Sequence, residues 1–400
     1  MGEGVDVLTN KINKKLRILA LTYSYGGDAS GIVVRNIINE LSNSNQVEVW
    51  AYKIDSQISQ NEIENIRLLK YPIDISYIDY IKVSMRLFRD DILCDFSKYG
   101  MRTGHMAYDI VVSFVYGFYY QGLIIGSYIK RKLSVPHYCY MIDPIPTPIG
   151  WTRNNFFRKQ VSKFIKSYSK FVDVFAVSNP RIIDYEILFI PNNRFEVVYT
   201  PISDVKFNDT CNINKLGFNF LYAGSIYGAR TPYYFLKAFE RLIGEGVDAS
   251  ITFLGTTGIS EWLNFLSYDC CQKIFIESST NDLSKYYIES DALVDIDADL
   301  ANDIFVSSKL INYLCVNRPI LCETNVNSPS HDLLNGLESV IFSDHNVDNM
   351  YQCMRNLILA DREYNYTERK EIIDYLNVKS VVERMFESFQ ILVCEGGRNA

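Results

Sequence analysis

Two segments in the second half of the chain carry the residue types that bind phosphate groups. One segment reads AGSIYGARTPYYFLKAF, with a predicted turn at Gly224 and then Arg230 at the mouth of a predicted helix. The other reads SSKLINYLCVNRPIL, with Ser308 and Lys309 at the start of a predicted helix. Cationic side chains, a hydroxyl and free backbone N–H groups at helix starts are suited to a diphosphate. Either segment alone would also fit ordinary turn and helix-cap chemistry, but their order and spacing together favour an anion site.

The rest of the sequence has the pattern of parallel β-sheets crossed by helices. Short apolar runs alternate with longer amphipathic ones, as is typical of α/β proteins. The predicted strands are 16–23, 46–52, 110–115, 138–142, 174–177, 218–222, 250–254, 273–276, 292–296 and 320–323. A polar stretch at 197–214 reads as a linker between a first domain at 1–200 and a second domain at 216–378. The sequence therefore predicts two Rossmann-like domains.

In the two phosphate-binding segments the chain resembles the retaining GT-B glycosyltransferases of group 1, also called family 4. Members have an arginine directly after the glycine of the turn and a lysine further on; here Ser225 stands at the arginine position and Arg230 at the lysine position. Members also have a pair of glutamates, and Ile304 and Asn312 occupy those two positions. Both glutamates are therefore missing. The serine and lysine of the second segment do occur in a branch of the family that binds the donor diphosphate at this helix start.

The resemblance implies a GT-B fold, in which two Rossmann-like domains face a central cleft and a C-terminal helix within 379–400 crosses back to the first domain. It also implies a nucleoside-diphosphate sugar as donor, no metal or other cofactor, and retention of anomeric configuration without an obvious protein nucleophile. Arg230 and Lys309 would meet the negative charge that develops on the leaving group. The residues expected to contact the donor in the second domain are Gly224, Ser225, Glu277, Ser308 and Asn312, with Glu277 at the position where relatives hold the nucleotide base.

Candidate residues of the first domain follow its predicted strands. The glycine-rich loop at 25–31 contains Gly26 and Gly27, which the resemblance places near the donor phosphate or the acceptor; a tight turn without a ligand is the alternative. Asp143 is expected either to contact the sugar or acceptor or to cap the turn that follows it. Because ligands bind at the carboxyl ends of parallel strands, we add as secondary candidates Tyr116, Gly117, Ser178 and Asn179.

Charge is distributed unevenly along the chain. The net charge of −7 argues against a general nucleic-acid binder. In contrast, the segment from Trp151 to Phe171 contains several lysines and arginines and no acid, interleaved with aromatic residues. This pattern fits a helix on an anionic membrane, which would suit a polyprenyl-linked acceptor rather than a free glycan. It fits equally well a surface helix whose aromatic face packs on the sheet.

Three further features bear on location. The first fifteen residues lack an apolar stretch and so do not resemble a secretory signal, which predicts a cytoplasmic protein, at the inner face of the membrane if the basic segment binds lipid. The nine scattered cysteines indicate reduced thiols. The uncharged window 110–129 is long enough to span a bilayer, but its glycines and Gln121 favour a strand followed by a helix from about residue 118.

Two other interpretations compete with this one. Asp295, Asp297 and Asp299 form overlapping Asp-x-Asp triplets, an arrangement that holds a divalent metal in GT-A glycosyltransferases. Their place in the second of two domains favours contact with sugar hydroxyls instead, a role that Asp303 would also suit. The missing glutamates also leave open a non-catalytic GT-B-like subunit that binds a partner enzyme or a glycan.

Overall fold

Two parallel β-sheets form the two halves of the chain in a computed structural model that describes residues 15–58, 65–70, 107–151, 155–202, 217–280, 282–360 and 366–398. Each sheet carries helices on its faces and buries an apolar cluster on each side. Strands covered on both faces read as continuous apolar runs, which is why most of them were predictable from the sequence. The prediction of two Rossmann-like domains is confirmed.

The first sheet has seven parallel strands in the order β3-β2-β1-β4-β5-β6-β7. They are β1 (Arg17–Tyr25), β2 (Gln46–Ile54), β3 (Ile66–Lys70), β4 (Ile110–Val115), β5 (His137–Met141), β6 (Val174–Val177) and β7 (Phe195–Val197). The order reverses between β1 and β4, and such switch points bind ligands in open α/β sheets. The sequence prediction missed β3 and β7, which are short edge strands with partly exposed residues and a weak apolar signal.

The described residues between β1 and β7 form four α-helices beside the first sheet, namely α1 (Ala29–Ser42), α2 (Gln121–Leu133), α3 (Asn155–Tyr168) and α4 (Pro180–Glu186). Helix α1 begins after Asp28, whose carboxylate accepts a hydrogen bond from the Gly31 N–H at 2.7 Å. The uncharged window divides into β4 and α2, as expected, although α2 begins at Gln121 rather than near Phe118. Within the described part of the chain, no helix is both long and apolar enough to cross a membrane.

The second sheet has six parallel strands in the order β10-β9-β8-β11-β12-β13. They are β8 (Phe218–Ala223), β9 (Ala249–Leu254), β10 (Ile274–Glu277), β11 (Ala292–Ile296), β12 (Ile320–Glu323) and β13 (Val340–Ser343). The helices between and after them are α5 (Tyr233–Gly244), α6 (Ser260–Leu263), α7 (Tyr268–Cys271), α8 (Ser284–Glu289), α9 (Ser308–Tyr313), α10 (Pro329–Leu334), α11 (Val347–Leu359) and α12 (Lys370–Leu376). The sequence prediction missed β13, another short edge strand.

The last helix, α13 (Val378–Arg398), packs on the first domain. Its apolar side chains join the cluster beneath β1 and α1, and the Phe389 ring lies edge-on to Tyr138 with centroids 4.8 Å apart. The Ser388 hydroxyl donates a hydrogen bond to Glu196. The expectation that the C-terminal helix crosses back to the first domain is therefore confirmed.

The two crossings between the domains run side by side. Ile202, on the outward crossing, donates its N–H to the Leu376 carbonyl at 2.9 Å, and its backbone pairs with that of Asn377. Further along the interface, Asn179 Nδ2 donates to the Ile304 carbonyl at 2.9 Å. These contacts hold the two domains facing each other, with a cleft between them.

Candidate functional site

A cavity of about 360 Å³ lies between the domains, at the carboxyl ends of both sheets. This is the edge at which parallel sheets bind ligands. The first domain lines it with Ala29, Ser30, Val33, Gly117, Phe118, Ile142, Asp143, Thr147, Trp151, Ser178 and Thr200. The second domain lines it with Tyr227, Gly228, Arg230, Phe305, Val306, Ser307, Ser308 and Lys309. Residues from both predicted phosphate-binding segments thus meet in one cavity.

A larger cavity, of about 440 Å³, lies at the opposite edge of the first sheet, where β1, β2 and β3 begin. Its charged side chains are already paired. Arg67 lies 3.4 Å from Glu48, and Arg17 lies 3.4 Å from Asp109. Because this edge faces away from the strand ends that bind ligands in such sheets, the interdomain cavity is the candidate site.

Arg230 reaches the cavity from the loop between β8 and α5. Its backbone pairs with that of Ala298, and α5 begins only at Tyr233, so Arg230 precedes the helix rather than opening it. The guanidinium carbon lies 5.4 Å from the ring centroids of both Trp151 and Tyr227. Among the described residues this guanidinium has no hydrogen-bond acceptor, and its Nε is buried without a partner. A half-buried guanidinium with unused donors is suited to an anionic ligand.

Lys309 approaches the same cavity from α9. Its Nζ lies 3.5 Å from Asp295 Oδ1, and 16% of its side chain is exposed. Burial lowers the pKa of Lys309; Asp295 opposes this shift, whereas the positive charge of Arg230 adds to it. The two cations are therefore close enough to repel each other, and an anion bound between them would relieve that repulsion.

The two serines at the start of the second segment have different roles. Ser308, the first residue of α9, is exposed to the cavity. Ser307 is buried, and its hydroxyl donates to Asp295 Oδ1 at 2.9 Å. Ser308 is therefore available to a ligand, whereas Ser307 helps to fix the carboxylate beside Lys309.

The carboxylates of Asp295 and Asp297 lie directly behind the two cations. Both are fully buried, and together with the Cys322 thiol they offer ligand atoms within 4.8 Å of one another. Burial lowers the pKa of Arg230, but these two carboxylates outweigh it, so that the pKa of Arg230 is raised. Since Arg230 and Lys309 already supply positive charge here, the arrangement favours ion pairing over metal binding.

Asp297 and Asp299 have different surroundings despite their spacing. Asp297 Oδ2 accepts hydrogen bonds from the Thr324 and Ser330 hydroxyls, each at 2.9 Å. Burial and the neighbouring Asp295 raise the pKa of Asp297 to about 7. Asp299 is exposed and accepts a hydrogen bond from the Tyr234 hydroxyl at 3.0 Å, outside the lining of the cavity. The three aspartates therefore do not act as one set.

Asp143 lies across the cavity from the cations, on the first domain. Its Oδ2 accepts a hydrogen bond from the Gly117 N–H at 2.7 Å. Burial raises the pKa of Asp143, against the opposing effects of this hydrogen bond and of Arg230. The structure thus brings together Asp143, Gly117, Arg230 and Lys309, although they come from four separate parts of the sequence. Asp143 thus orders the turn after β4 rather than the turn that follows it in sequence, and its contact with a sugar or acceptor stays a prediction.

Gly26 and Gly27 do not line the cavity. Both have positive φ (79° and 77°), and an added Cβ on either would face Asp55, the residue directly after β2. The start of α1 lines the cavity instead, through Ala29 and Ser30. A donor-binding role for the two glycines stays a prediction, and the sequence offered no signal that their side of the loop would face β2.

The remaining donor candidates lie around the edge of the second sheet. Gly224 follows β8, and Ser225 is half-buried with its carbonyl accepting from the Tyr222 hydroxyl at 3.1 Å. Glu277 ends β10, is exposed, and accepts the Gly255 N–H on its carbonyl at 2.8 Å. Asn312 is half-buried in α9. Of these four, none is among the residues that line the cavity, so contact with a donor stays a prediction for each.

The basic segment forms α3 with its aromatic side chains turned inwards. Phe157, Phe164 and Tyr168 are buried against the first domain, whereas Lys163 and Lys166 are exposed. This is the geometry of a surface helix packed on the sheet. Phe156, with 64% of its surface exposed, is the aromatic residue of α3 left for another surface.

Trp151, which precedes α3, has a role that sequence reasoning missed. The sequence grouped it with the membrane-facing aromatics, but its indole N–H donates to Asp303 Oδ1 of the second domain at 3.1 Å. Its ring also contacts Phe305, with centroids 5.0 Å apart. A tryptophan directly before a predicted helix carries no signal of a partner in another domain.

No protein-family model matches the chain, and no curated protein matches its sequence. Solved structures do share its fold. A glycosyltransferase from Rickettsia africae ESF-5 superposes with a TM-score of 0.65 at 12% identity, over 95% of this chain and 99% of that one. Anabaena Alr3699/HepE in complex with UDP and glucose superposes with a TM-score of 0.65 at 10% identity, over 93% and 99%.

A third similar structure is WaaG, a glycosyltransferase involved in lipopolysaccharide biosynthesis, with a TM-score of 0.64 at 11% identity over 94% of this chain and 99% of that one. Such identities establish the fold and leave the chemistry to the site. The fold is GT-B, with two Rossmann-like domains that face one cleft.

Proposed function

We propose that this chain is a glycosyltransferase that moves a hexose-type sugar from a nucleoside-diphosphate sugar to a glycan or lipid-linked acceptor. One observation carries the proposal: Arg230 and Lys309, from two segments far apart in sequence, present their cations to one interdomain cavity. Arg230 has unused hydrogen-bond donors there, and the exposed Ser308 lies beside Lys309. A diphosphate has the charge and the acceptor oxygens that this arrangement requires.

The chemistry follows from the charge that develops during transfer. As the bond from the sugar to the diphosphate breaks, negative charge grows on the leaving phosphate, and fixed cations stabilise it. Arg230 and Lys309 fill this role without a metal or another cofactor. We infer retention of configuration, with the acceptor hydroxyl attacking from the side of the departing diphosphate and no protein nucleophile.

The acceptor side of the reaction belongs to the first domain in this proposal. Asp143 faces the cations across the cavity, and burial raises its pKa, which suits a carboxyl group that accepts a proton from an attacking hydroxyl. Thr147, Ser178 and Thr200 line the same wall and offer hydroxyl groups to a sugar.

We further propose that the enzyme acts in the synthesis of a surface polysaccharide, at the cytoplasmic face of the membrane. Two similar structures support the direction of this inference: WaaG is described as involved in lipopolysaccharide biosynthesis, and the Anabaena protein was solved with UDP and glucose. The exposed lysines of α3 and the exposed Phe156 would provide the membrane contact.

A ligand panel tests the donor. The native protein is heated with UDP-, GDP-, ADP- and CDP-linked sugars in turn, and a ligand that binds the folded state raises the unfolding temperature. We expect at least one donor to do so, and the shift to vanish in Arg230→Ala but persist in Arg355→Ala, which removes an exposed arginine of α11. No shift with any donor would exclude the proposed activity. A shift without sugar transfer to any glycan or lipid-linked acceptor would favour the non-catalytic subunit.

A further inference from the structure

Trp151 connects the first domain to the catalytic cation of the second. Its indole N–H donates to Asp303 Oδ1 at 3.1 Å, and its ring centroid lies 5.4 Å from the guanidinium carbon of Arg230. The Tyr227 ring centroid lies at the same distance from that carbon, 5.4 Å, and 5.9 Å from the Trp151 ring centroid. Two neighbouring aromatic rings from different domains thus flank a side chain that has no hydrogen-bond acceptor among the described residues.

The fit around Trp151 depends on two glycines. A Cβ on Gly228 would come within 2.9 Å of the indole ring, and a Cβ on Gly150 would come within 2.6 Å of Leu300. Gly150 and Gly228 both have positive φ, at 100° and 67°. A side chain at Gly150 would therefore clash with Leu300, and one at Gly228 would clash with Trp151. Residues 150–151 pack between the loop after β8 and the loop after β11 in the second domain.

This arrangement limits the orientations of Arg230. A guanidinium held over an aromatic face keeps its charge. Its N–H groups remain free to donate to a ligand that lies in the plane of the guanidinium. Without the indole, the long arginine side chain would gain rotamers directed at Asp295 and Asp297, which already attract it. Donor binding would then have to reorder the side chain and break those ion pairs.

We propose that Trp151 is a positioning residue, which holds Arg230 in the orientation that binds the donor diphosphate and so makes the donor site depend on the first domain. The inference rests on the proposed function, because it assumes that Arg230 binds a diphosphate. Trp151 acts through Arg230, and its effect on nucleotide binding is lost when Arg230 is absent.

A double-mutant cycle tests this coupling. UDP, GDP, ADP and CDP are titrated into the native protein by calorimetry, and the tightest of them is then titrated into Trp151→Leu, Arg230→Ala and the double variant. Leucine fills much of the pocket but has no aromatic face for the guanidinium. We expect Trp151→Leu to weaken binding about tenfold, the effect of a desolvated cation–π contact, but to add nothing in the Arg230→Ala background.

Two controls separate positioning from general damage. Trp262→Leu removes a different half-buried tryptophan, which lies on α6 in the second domain, and should leave nucleotide affinity unchanged. Trp151→Phe keeps an aromatic ring but lacks the indole N–H, so it should restore most of the affinity lost in Trp151→Leu. If Trp151→Leu does not fold, the test rests on the nucleotide affinity of Trp151→Phe. An affinity close to that of the native protein supports the ring contact, whereas a loss of more than tenfold counts against it.

The outcomes are distinct. If the native protein binds none of the four diphosphates, the proposed function fails, and this inference fails with it. If the native protein binds one of them and Trp151→Leu binds it equally well, only the positioning role is overturned. Equal losses from Trp151→Leu in the native and Arg230→Ala backgrounds would also overturn it, because the effect would then not pass through Arg230.

Discussion

Gly224 and Lys309 lie so close together that a Cβ placed on the glycine would come within 2.5 Å of the lysine Cδ. The turn after β8 therefore forms the wall along which the Lys309 side chain reaches the cavity. Gly224 also has φ of 140°, where side chains are rarely accommodated. The absence of a side chain at Gly224, in the first segment, thus leaves the space that the Lys309 side chain of the second segment occupies.

Gly224→Ala should accordingly displace the Lys309 ammonium and weaken nucleotide binding. The strained backbone should also lower the free energy of unfolding by about 1–3 kcal/mol. Gly246→Ala provides a matched control, since Gly246 has φ of 80° but no neighbour within 4 Å of an added Cβ. Calorimetric titration and thermal denaturation measure the two effects, and equal nucleotide affinities in the two variants would contradict the steric explanation.

Lys309→Met should reduce nucleotide affinity by at least tenfold, because the charge facing the cavity is lost while the length of the side chain is kept. It should also destabilise the fold by about 3 kcal/mol, since Asp295 would be left buried without its nearest cation. The exposed Lys285 of α8 offers the control, and Lys285→Met should change neither quantity. Full affinity in Lys309→Met would remove this lysine from the site.

The pH dependence of stability should report on Asp297. Burial raises the pKa of its carboxyl from 3.8 to about 7 in the folded chain. Between these values the folded state binds more protons than the unfolded state, so stability falls as the pH rises through this window and levels off above it. Asp297→Asn should remove this dependence, which amounts to a few kcal/mol in the free energy of unfolding across the window, at about 1.4 kcal/mol per pKa unit.

Urea denaturation of the native protein and Asp297→Asn at a series of pH values between 4 and 8 measures this slope. Asp269→Asn, at an exposed carboxylate of α7, should leave the native pH profile in place. A native profile that rises with pH across this window, or one that Asp297→Asn does not alter, would count against a protonated buried carboxyl.

Phe389→Ala should destabilise the first domain by about 3–5 kcal/mol, the usual cost of removing a fully buried phenylalanine. Its ring lies against Tyr138 on the central part of the first sheet. Ile391 lies on the same helix with 46% of its surface exposed, and Ile391→Ala should have little effect. Hydrogen exchange should show the loss of protection in β1, β4 and β5 rather than in β8 and β11.

The sequence predicted the central elements well because their burial leaves a direct signal. β4 and β11 are mostly apolar and buried at every position, and the Ser308-Lys309 pair begins α9 as expected. The edge strands β3, β7 and β13 were missed because they are only three to five residues long and at least half of the residues in each are not fully buried. Pattern alone does not reveal a strand that is held mainly by its neighbour's backbone.

The site was less predictable for a different reason. Asp295 and Asp297 were recognised as a pair, but a local motif does not show that cations from β8–α5 and from α9 would approach them. The Trp151–Asp303 hydrogen bond joins residues of different domains, and no local pattern encodes it. Likewise, Gly26 and Gly27 were expected to face the cleft, and only the packing of β2 directs them to Asp55.

The crossing of α13 back to the first domain has a consequence for the order of events during synthesis. The apolar face under β1 and α1 is finished by side chains from Val381 to Leu392, which leave the ribosome after the whole second domain. Until then, that part of the face lacks the α13 side chains that cover it in the folded protein. The second domain, in contrast, has the residues of both of its apolar clusters available before α13 appears. The domain translated first is therefore expected to reach its native packing last.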